Sequence, residues 1–471
     1  MKKKDLRSKE WFDNPNDPGL TALYLERYLN YGLKREDLQS GKPIIGIAQS
    51  GSDLSPCNRH FQTLSKTIKD GIREAGGVPM EFPTHPIQET GKRPTAALDR
   101  NLSYLSLVEV LYGYPIDGVI LTTGCDKTTP AALMAAATVN IPSIVLSGGP
   151  MLDGSYKGKK AGSGTIIWEA RKLHAKGEID YEEFMDMAAA SAPSIGHCNT
   201  MGTASSMNSI AEALGMSLTG GAIIPAPYKE RESISFETGK RIVDMVHEDL
   251  TPSKIMTKEA FENAIYVASA IGASSNCPPH LTAIARHMGI DFGVDNWQKL
   301  GHDIPLLVNC QPAGEHLMEG FFKAGGVPAI MQELMKNNKL HKKVITVTGK
   351  TVEENLKDEI KVDQNIIRSF KNPLVENAGF IVMKSNFFSS AVMKTSVISS
   401  EFRKRYLSNP ECLNLFEANA VVFEGPEDYH LRINDENLEI NENSILMIRG
   451  CGPVGYPGSA EVVNMQPPDR L

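Results

Sequence analysis

Asp117-Gly118-Val119-Ile120-Leu121-Thr122 leads through Thr123 into Gly124-Cys125-Asp126-Lys127, a core strand delivered directly into a polar loop that carries a thiol, a carboxylate and an amine. Working outward, Pro43 to Ala48 reads as a second buried strand, followed by the polar loop Ser-Pro-Cys57-Asn-Arg-His. A helix is predicted from about Phe61 to Ala75, a strand near Val78 to Phe82, and a helix over roughly Ala97 to Tyr112. Beyond the opening stretch a helix is predicted to start at Pro130, and Pro142 to Leu146 reads as a further strand ending in Ser147-Gly148-Gly149-Pro150. Short, almost wholly apolar strands alternating with helices predict a mostly parallel sheet with helices on both faces, an α/β fold. Ligands of such sheets bind beyond the carboxyl ends of the strands, so the loops carrying Cys57 and Cys125 belong at one end.

The middle of the chain is helix-rich. Cys198, in Gly-His-Cys-Asn-Thr-Met-Gly, precedes a helix predicted over Ala204 to Leu214, with Thr200 or Thr203 as its N-cap and amides able to hold an anion. Helices are also expected over Lys258 to Ile271 and His316 to Phe322, with a strand over Ile304 to Asn309. Around Val362 to Gly379 the pattern changes to short β-like pieces: Phe380 to Met383, Ala420 to Phe423 and Ser444 to Arg449, with turns at Gly425-Pro426 and Asn434-Asp435. These predict an N-terminal α/β domain over residues 1–370 and a smaller all-β, barrel-like domain over residues 371–471.

Bulk properties narrow the function. The chain has 471 residues, 41% hydrophobic and 22% charged, with 40 glycines, as expected of a globular enzyme with many tight loops. A formal charge of -7 disfavours nucleic acid or an anionic membrane as the main partner. No apolar run approaches the roughly 20 residues that span a bilayer, and no secretory signal follows Met1, so a cytoplasmic location is expected. Seven widely spaced cysteines are an odd number and argue against a disulfide framework.

Three of those cysteines, Cys57, Cys125 and Cys198, sit among Gly, Asn, Thr and Pro, where core filling explains them poorly. Three thiolates suit an iron–sulfur cluster with one open coordination position, or a zinc site with an open position. Their separations of tens of residues equally allow three incidental buried thiols. Asp126, with Glu89 in Gln88-Glu89-Thr90-Gly91, could supply oxygen ligands to Mg²⁺, although each alone reads as a loop charge or a cap. Lys127 would repel a cation unless neutral or converted to an anionic carbamate; its plain alternative is an ion pair with a neighbouring acid. His60 and His197 read as ligands, acid–base groups or hydrogen-bonded structural histidines. Gly452 to Gly458 is a rigid turn, after which Glu461 could reach a cleft between domains. Cys277, Cys310, Cys412 and Cys451 have no accompanying constellation and read as structural.

Together, Pro56-Cys57-Asn58, Gly124-Cys125-Asp126-Lys127-Thr128-Thr129-Pro130, Gly148-Gly149-Pro150-Met151 and Gly196-His197-Cys198-Asn199-Thr200-Met201-Gly202 resemble the dihydroxy-acid and sugar-acid dehydratase family. Further matches run through Glu248 to Lys254, Pro305 to Asn309 and Val422 to Tyr429, in collinear order over nearly the whole chain. The Trp11-Phe12 start and the Thr128-Thr129-Pro130 run look more like the arabinonate/xylonate branch than the branched-chain amino-acid branch. The resemblance implies a 2Fe–2S cluster on Cys57, Cys125 and Cys198 with one iron position open. It also implies Mg²⁺ on Glu89, Asp126, a carbamylated Lys127 and Glu461. The implied reaction is a hydro-lyase one, converting a sugar acid to its 2-keto-3-deoxy acid, and the implied assembly is a homodimer or homotetramer. Rival readings are a dihydroxy-acid dehydratase of branched-chain synthesis and a non-catalytic metal-binding homologue. The resemblance places its serine base in a loop some two dozen residues past Glu461, beyond Leu471. No serine here takes that role, so the sequence is either a fragment of an active enzyme or a shortened protein in which impaired turnover with intact metal sites is expected.

Overall fold

The computed structural model describes residues 5–30, 32–87, 97–386, 389–408, 410, 417–441, 443–450 and 465–468. Four parallel strands form the main sheet: β1 (Ile44–Gln49), β2 (Val78–Pro83), β3 (Gly118–Thr123) and β4 (Ser143–Ser147), in the order β2-β1-β3-β4. All residues of β1, β3 and β4 are buried, the mark of strands covered on both faces. β2 is buried only at Val78 and carries Pro79 and Pro83, which an edge strand tolerates because one row of its backbone groups needs no partner.

The chain moves from β1 outward to β2, then back across to β3 and on to β4. Right-handed crossovers in opposite directions place their helices on opposite faces of the sheet. Helix Phe61–Glu74, joining β1 to β2, therefore covers one face beside Lys229–Glu248. Helices Ala97–Gly113 and Thr128–Val139 cover the other. The reversal in strand order lies between β1 and β3, and the loops leaving these two strands carry Cys57 and Cys125. A crevice at that position is where open parallel sheets bind ligands.

Most predicted elements form within two residues of their expected bounds. Thr128, rather than Pro130, starts the helix after β3. The helix beyond Cys198 is Thr203–Ala213, and neither threonine caps it: Gly202 is the N-cap, while Thr200 Oγ1 donates to the Ser163 carbonyl and Thr203 Oγ1 meets Ser274 Oγ at 2.8 Å. Residues 304–309 make no strand; Leu306 and Val308 form single bridges to Val375 and Ile367.

Two short hairpin strands, β5 (Gly154–Tyr156) and β6 (Lys159–Ala161), follow the main sheet, and the C-terminal part departs from expectation. β7 (Phe380–Met383) and β8 (Ala391–Lys394) pair antiparallel, whereas β9 (Asn419–Phe423) and β10 (Ser444–Ile448) pair parallel. A parallel pair needs a crossover, and helix Pro426–Arg432 supplies it, starting at the Gly425-Pro426 position expected to be a turn. The described residues of this region therefore form mixed α/β structure and no all-β barrel. Pro at the first helical position is the signal that separates the two readings. Phe423, Tyr429, Ile433 and Ile440 make a small core there, separate from the large one under the main sheet. Among the described residues no helix is long and apolar enough to cross a membrane.

The two helices on the first face cross with glycine against backbone on both sides. A methyl at Gly71 would fall on the Phe236 carbonyl oxygen, and one at Gly239 on the Ile68 carbonyl oxygen. In an open helix Gly→Ala stabilises by about 1 kcal/mol. Here overpacking reverses the sign, and Gly71→Ala should destabilise the fold by about 1–3 kcal/mol in urea unfolding; a stabilised variant would contradict this packing.

Candidate active site

Cys57 sits in a single 3-10 turn, Pro56–Asn58, and the residues just after it bind the other two loops. The Cys125 amide donates to Asn58 Oδ1 at 3.0 Å, and His60 Nε2 meets the Gly148 carbonyl at 2.9 Å. Segment 57–60, leaving β1, thus fastens the loops leaving β3 and β4. Gly124 must lack a side chain because a Cβ would fall on Asn58 Oδ1, and a Cβ at Gly148 would meet His60 Nε2 at 2.7 Å. From below, Asn208 Nδ2 donates to the Gly124 carbonyl at 3.2 Å, while its Oδ1 accepts from Thr123 Oγ1 at 3.0 Å.

The Cys57 thiol is hydrogen-bonded to Cys125, which lowers it from the ordinary thiol range against the opposing effects of burial and of the Asp126 charge. Cys198 faces the same cavity as Cys57, a space of ≈ 610 Å³ also lined by His60, Met151 and Gly196. The Cys198 loop is tied to the end of β4: His197 N donates to the Gly149 carbonyl at 3.0 Å and Met151 N to the His197 carbonyl at 2.9 Å. Gly149 allows this with φ +82° and no Cβ, which would fall on the Ile224 carbonyl oxygen. The three cysteines predicted to act together therefore lie on loops bound to one another.

Asp126 and Lys127 are 0% and 1% exposed and form an ion pair at 2.6 Å. The other oxygen of Asp126 accepts from the Cys125 thiol at 3.3 Å. Thr128 closes the turn, its hydroxyl donating to the Cys125 carbonyl at 2.9 Å. Lys127 lines a second cavity of ≈ 520 Å³ with Arg100 and His280. Glu89, Glu461, Cys412, Cys451 and the 452–458 turn lie outside the described residues. Among those described, no group of three or more His, Cys, Asp and Glu side chains is arranged to hold a metal ion.

Both histidines beside the cysteines are buried and held neutral. Burial first, then the nearby Arg231 charge, lowers His60 to about 4 against the bond to Gly148; burial lowers His197 to about 3. His197 Nδ1 bonds the Cys198 carbonyl at 3.0 Å. Neither His60 Nδ1, His197 Nε2 nor Asn58 Nδ2 has a hydrogen-bond partner among the described residues. Cys277 and Cys310 are free buried thiols, both raised by desolvation, the former to about 12. Sequence reasoning singled out neither Arg100, Asn208, Arg231 nor His280. Asn58, beside Cys57 in the motif, was visible without an assigned role.

A neutral His60 with a folded value near 4 and an ordinary 6.5 stabilises the fold fully above pH 6.5, and that contribution is lost as pH falls toward 4. Unfolding free energy should drop by up to about 3 kcal/mol over that window from this group, and His60→Gln should flatten the slope in urea titrations. An unchanged slope would remove His60 from this account.

Comparison with known proteins adds the family. Residues 42–355 match the family model for "Dihydroxy-acid/6-phosphogluconate dehydratase N-terminal" and residues 365–471 that for the C-terminal region. A D-xylonate dehydratase of Caulobacter vibrioides is 62% identical over 466 residues, 99% of this chain and 78% of the relative. An L-arabinonate dehydratase of Rhizobium leguminosarum is 44% identical, covering 100% of this chain and 80% of the relative. A dihydroxy-acid dehydratase of Acetivibrio thermocellus is 36% identical over 92% of this chain and 76% of its own length.

Proposed function

The chain belongs to the dihydroxy-acid/6-phosphogluconate dehydratase family and is a lyase, and from that premise we propose that it removes water from a five-carbon sugar acid, D-xylonate foremost, to give the 2-keto-3-deoxy acid. The observation carrying the choice of substrate is the 62% identity to a D-xylonate dehydratase, against 36% to a dihydroxy-acid dehydratase.

A 2Fe–2S cluster on Cys57, Cys125 and Cys198 and Mg²⁺ on Asp126, a carbamylated Lys127, Glu89 and Glu461 are part of the same proposal. What supports them is the donor set: a Cys57–Cys125 thiol contact, Cys198 on the shared cavity, and a fully buried carboxylate–amine pair next in sequence. The orphaned Asn58 Nδ2 beside two of these thiols fits a site whose acceptors are sulfide or thiolate rather than protein oxygen. When bound, such groups would supply Lewis acidity at the C3 hydroxyl and offset the negative charge that grows as the C2 proton leaves.

The chain's own residues contribute position. Asn58 and Thr128 fix the backbone on either side of Cys125, so its sulfur points the same way in every molecule. His60 and His197, being neutral, add no positive charge beside the thiolates. Asp126 holds the Lys127 nitrogen at 2.6 Å within a water-excluded wall; carbamate formation would add carbon dioxide to that nitrogen and release two of its three protons, and the product would be an oxygen ligand next to Asp126. Reduced thiols suit a cytoplasmic enzyme. The outward row Leu98, Leu102, Leu105 and Tyr112 on helix Ala97–Gly113 is an apolar surface that a homodimer or homotetramer would cover.

Anaerobically purified protein should convert D-xylonate and L-arabinonate in preference to 2,3-dihydroxyisovalerate, read as 2-keto acid formed; preference for the last would overturn the substrate assignment. Iron and sulfide should be lost in Cys125→Ser and retained in Cys412→Ser. Equal iron in the two variants would remove Cys125 from the cluster.

A further inference from the structure

Arg100, on helix Ala97–Gly113, is only 6% exposed, and no carboxylate among the described residues lies within ion-pairing distance of it. Its Nε and Nη2 donate to Asn101 Oδ1 at 3.1 and 2.9 Å, and its Nη1 meets His280 Nδ1 at 3.0 Å. A guanidinium has five N–H donors and no acceptor. Three are thus engaged, and one N–H on each terminal nitrogen has no acceptor among the described residues. Because arginine can only donate, His280 Nδ1 accepts, so the proton of the neutral ring is on Nε2. That nitrogen is buried without a partner.

Arg286 lines the same cavity of ≈ 520 Å³ and adds positive charge, while Lys127, which also lines it, is paired with Asp126. A buried guanidinium without counter-charge is costly, because no opposite charge offsets its lost hydration. An amide would hold Asn101 and His280 together at far lower cost. A charged fork with unmatched parallel donors instead fits a carboxylate, which accepts two such bonds at once.

We propose that this cavity binds the carboxylate of the sugar-acid substrate, held by the Nη1 and Nη2 hydrogens of Arg100 with His280 fixing the guanidinium plane. The inference rests on the dehydratase reading above and deepens it. It assigns the substrate's acid end to the cavity lined by Lys127, Arg100 and His280 rather than to the one shared by Cys57 and Cys198. The selectivity it predicts is for an acid over the neutral polyol of the same length.

The test is calorimetric binding of D-xylonate and of xylitol to the holoenzyme, together with KM and kcat for D-xylonate. In Arg100→Met the Kd and KM for D-xylonate should rise about tenfold or more, the loss expected of charge-assisted hydrogen bonds. Xylitol binding and iron content should stay unchanged. Arg100→Lys, which keeps the charge but not the fork, should fall between the two. An unchanged acid-to-polyol ratio in both variants overturns the proposal. So does an equal loss for acid and polyol, which marks a structural role. Should Arg100→Met fail to fold, the lysine variant's ratio decides. If the wild type binds D-xylonate in an Arg100-dependent way without turning over any sugar acid, the dehydratase reading fails and the carboxylate site stands. Turnover with an unaltered ratio gives the reverse.

Discussion

The hydrogen bond from the Cys125 amide to Asn58 Oδ1 is the fastening on which the site depends. Loops at the carboxyl ends of parallel strands carry backbone groups that no ladder satisfies, and when they are buried each needs a named partner. Asn58 and His60 provide such partners to two different loops, after β3 and after β4. The turn leaving β1 therefore sets the height of the other two. The side-chain-free positions follow from this: Gly124 makes room for the Asn58 carbonyl oxygen and Gly148 for the His60 ring. A thiol, a carboxylate and an amine are then delivered by backbone whose position is over-determined.

Buried charge is handled in three different ways around that fastening. Asp126 and Lys127 neutralise each other at 2.6 Å. Arg231, entirely buried, makes three bonds to backbone carbonyls, of Ser147, Gly221 and Ile224, and so locks the end of β4 to the segment that precedes its own helix. Glu212 accepts the amides of Gly220 and Ala222 in the same region and offsets Arg231 electrostatically. Arg100 follows neither pattern, having an amide oxygen and an imidazole as its acceptors among the described residues. Arg231 thus meets backbone carbonyls, with its Nε lacking a partner among the described residues, whereas Arg100 lines a cavity.

Much of this was legible in the sequence. Short unbroken apolar runs rich in β-branched residues, such as Ile44-Ile45-Gly46-Ile47-Ala48, read as buried strands, and the position of Cys57 and Cys125 in loops after strands placed both at one sheet end. What the sequence did not show depends on partners distant in the chain. Arg100 and His280 are 180 residues apart, and neither sits in a motif. Asn208 reads as an ordinary polar residue on a helix until the Gly124 carbonyl is seen above it. The C-terminal strands were found, but their pairing was not: short apolar pieces carry no sign of parallel or antiparallel direction, and the helix between β9 and β10 hid behind a Gly-Pro usually read as a turn.

Adjacency in sequence explains why so demanding a site can tolerate being built on loops. Cys125 and the Asp126–Lys127 pair are consecutive, and successive Cα atoms are held about 3.8 Å apart whatever the loop does. On the proposed reading, ligands for a soft metal group and for a hard cation share one short segment, so a displacement of that loop carries both sets together. Relative placement of the two groups is thereby constrained by covalent geometry, and tertiary structure has only to set the segment against Cys57 and Cys198 and against Arg100 and His280. The Asn58 bond secures the first relation, and the packing of helices Ala97–Gly113 and Cys277–His287 beside Thr128–Val139 secures the second. A substrate bridging both sides would be held by two separately anchored walls across one rigid hinge-free segment, which is what differential stabilisation of a short-lived, charge-bearing state requires.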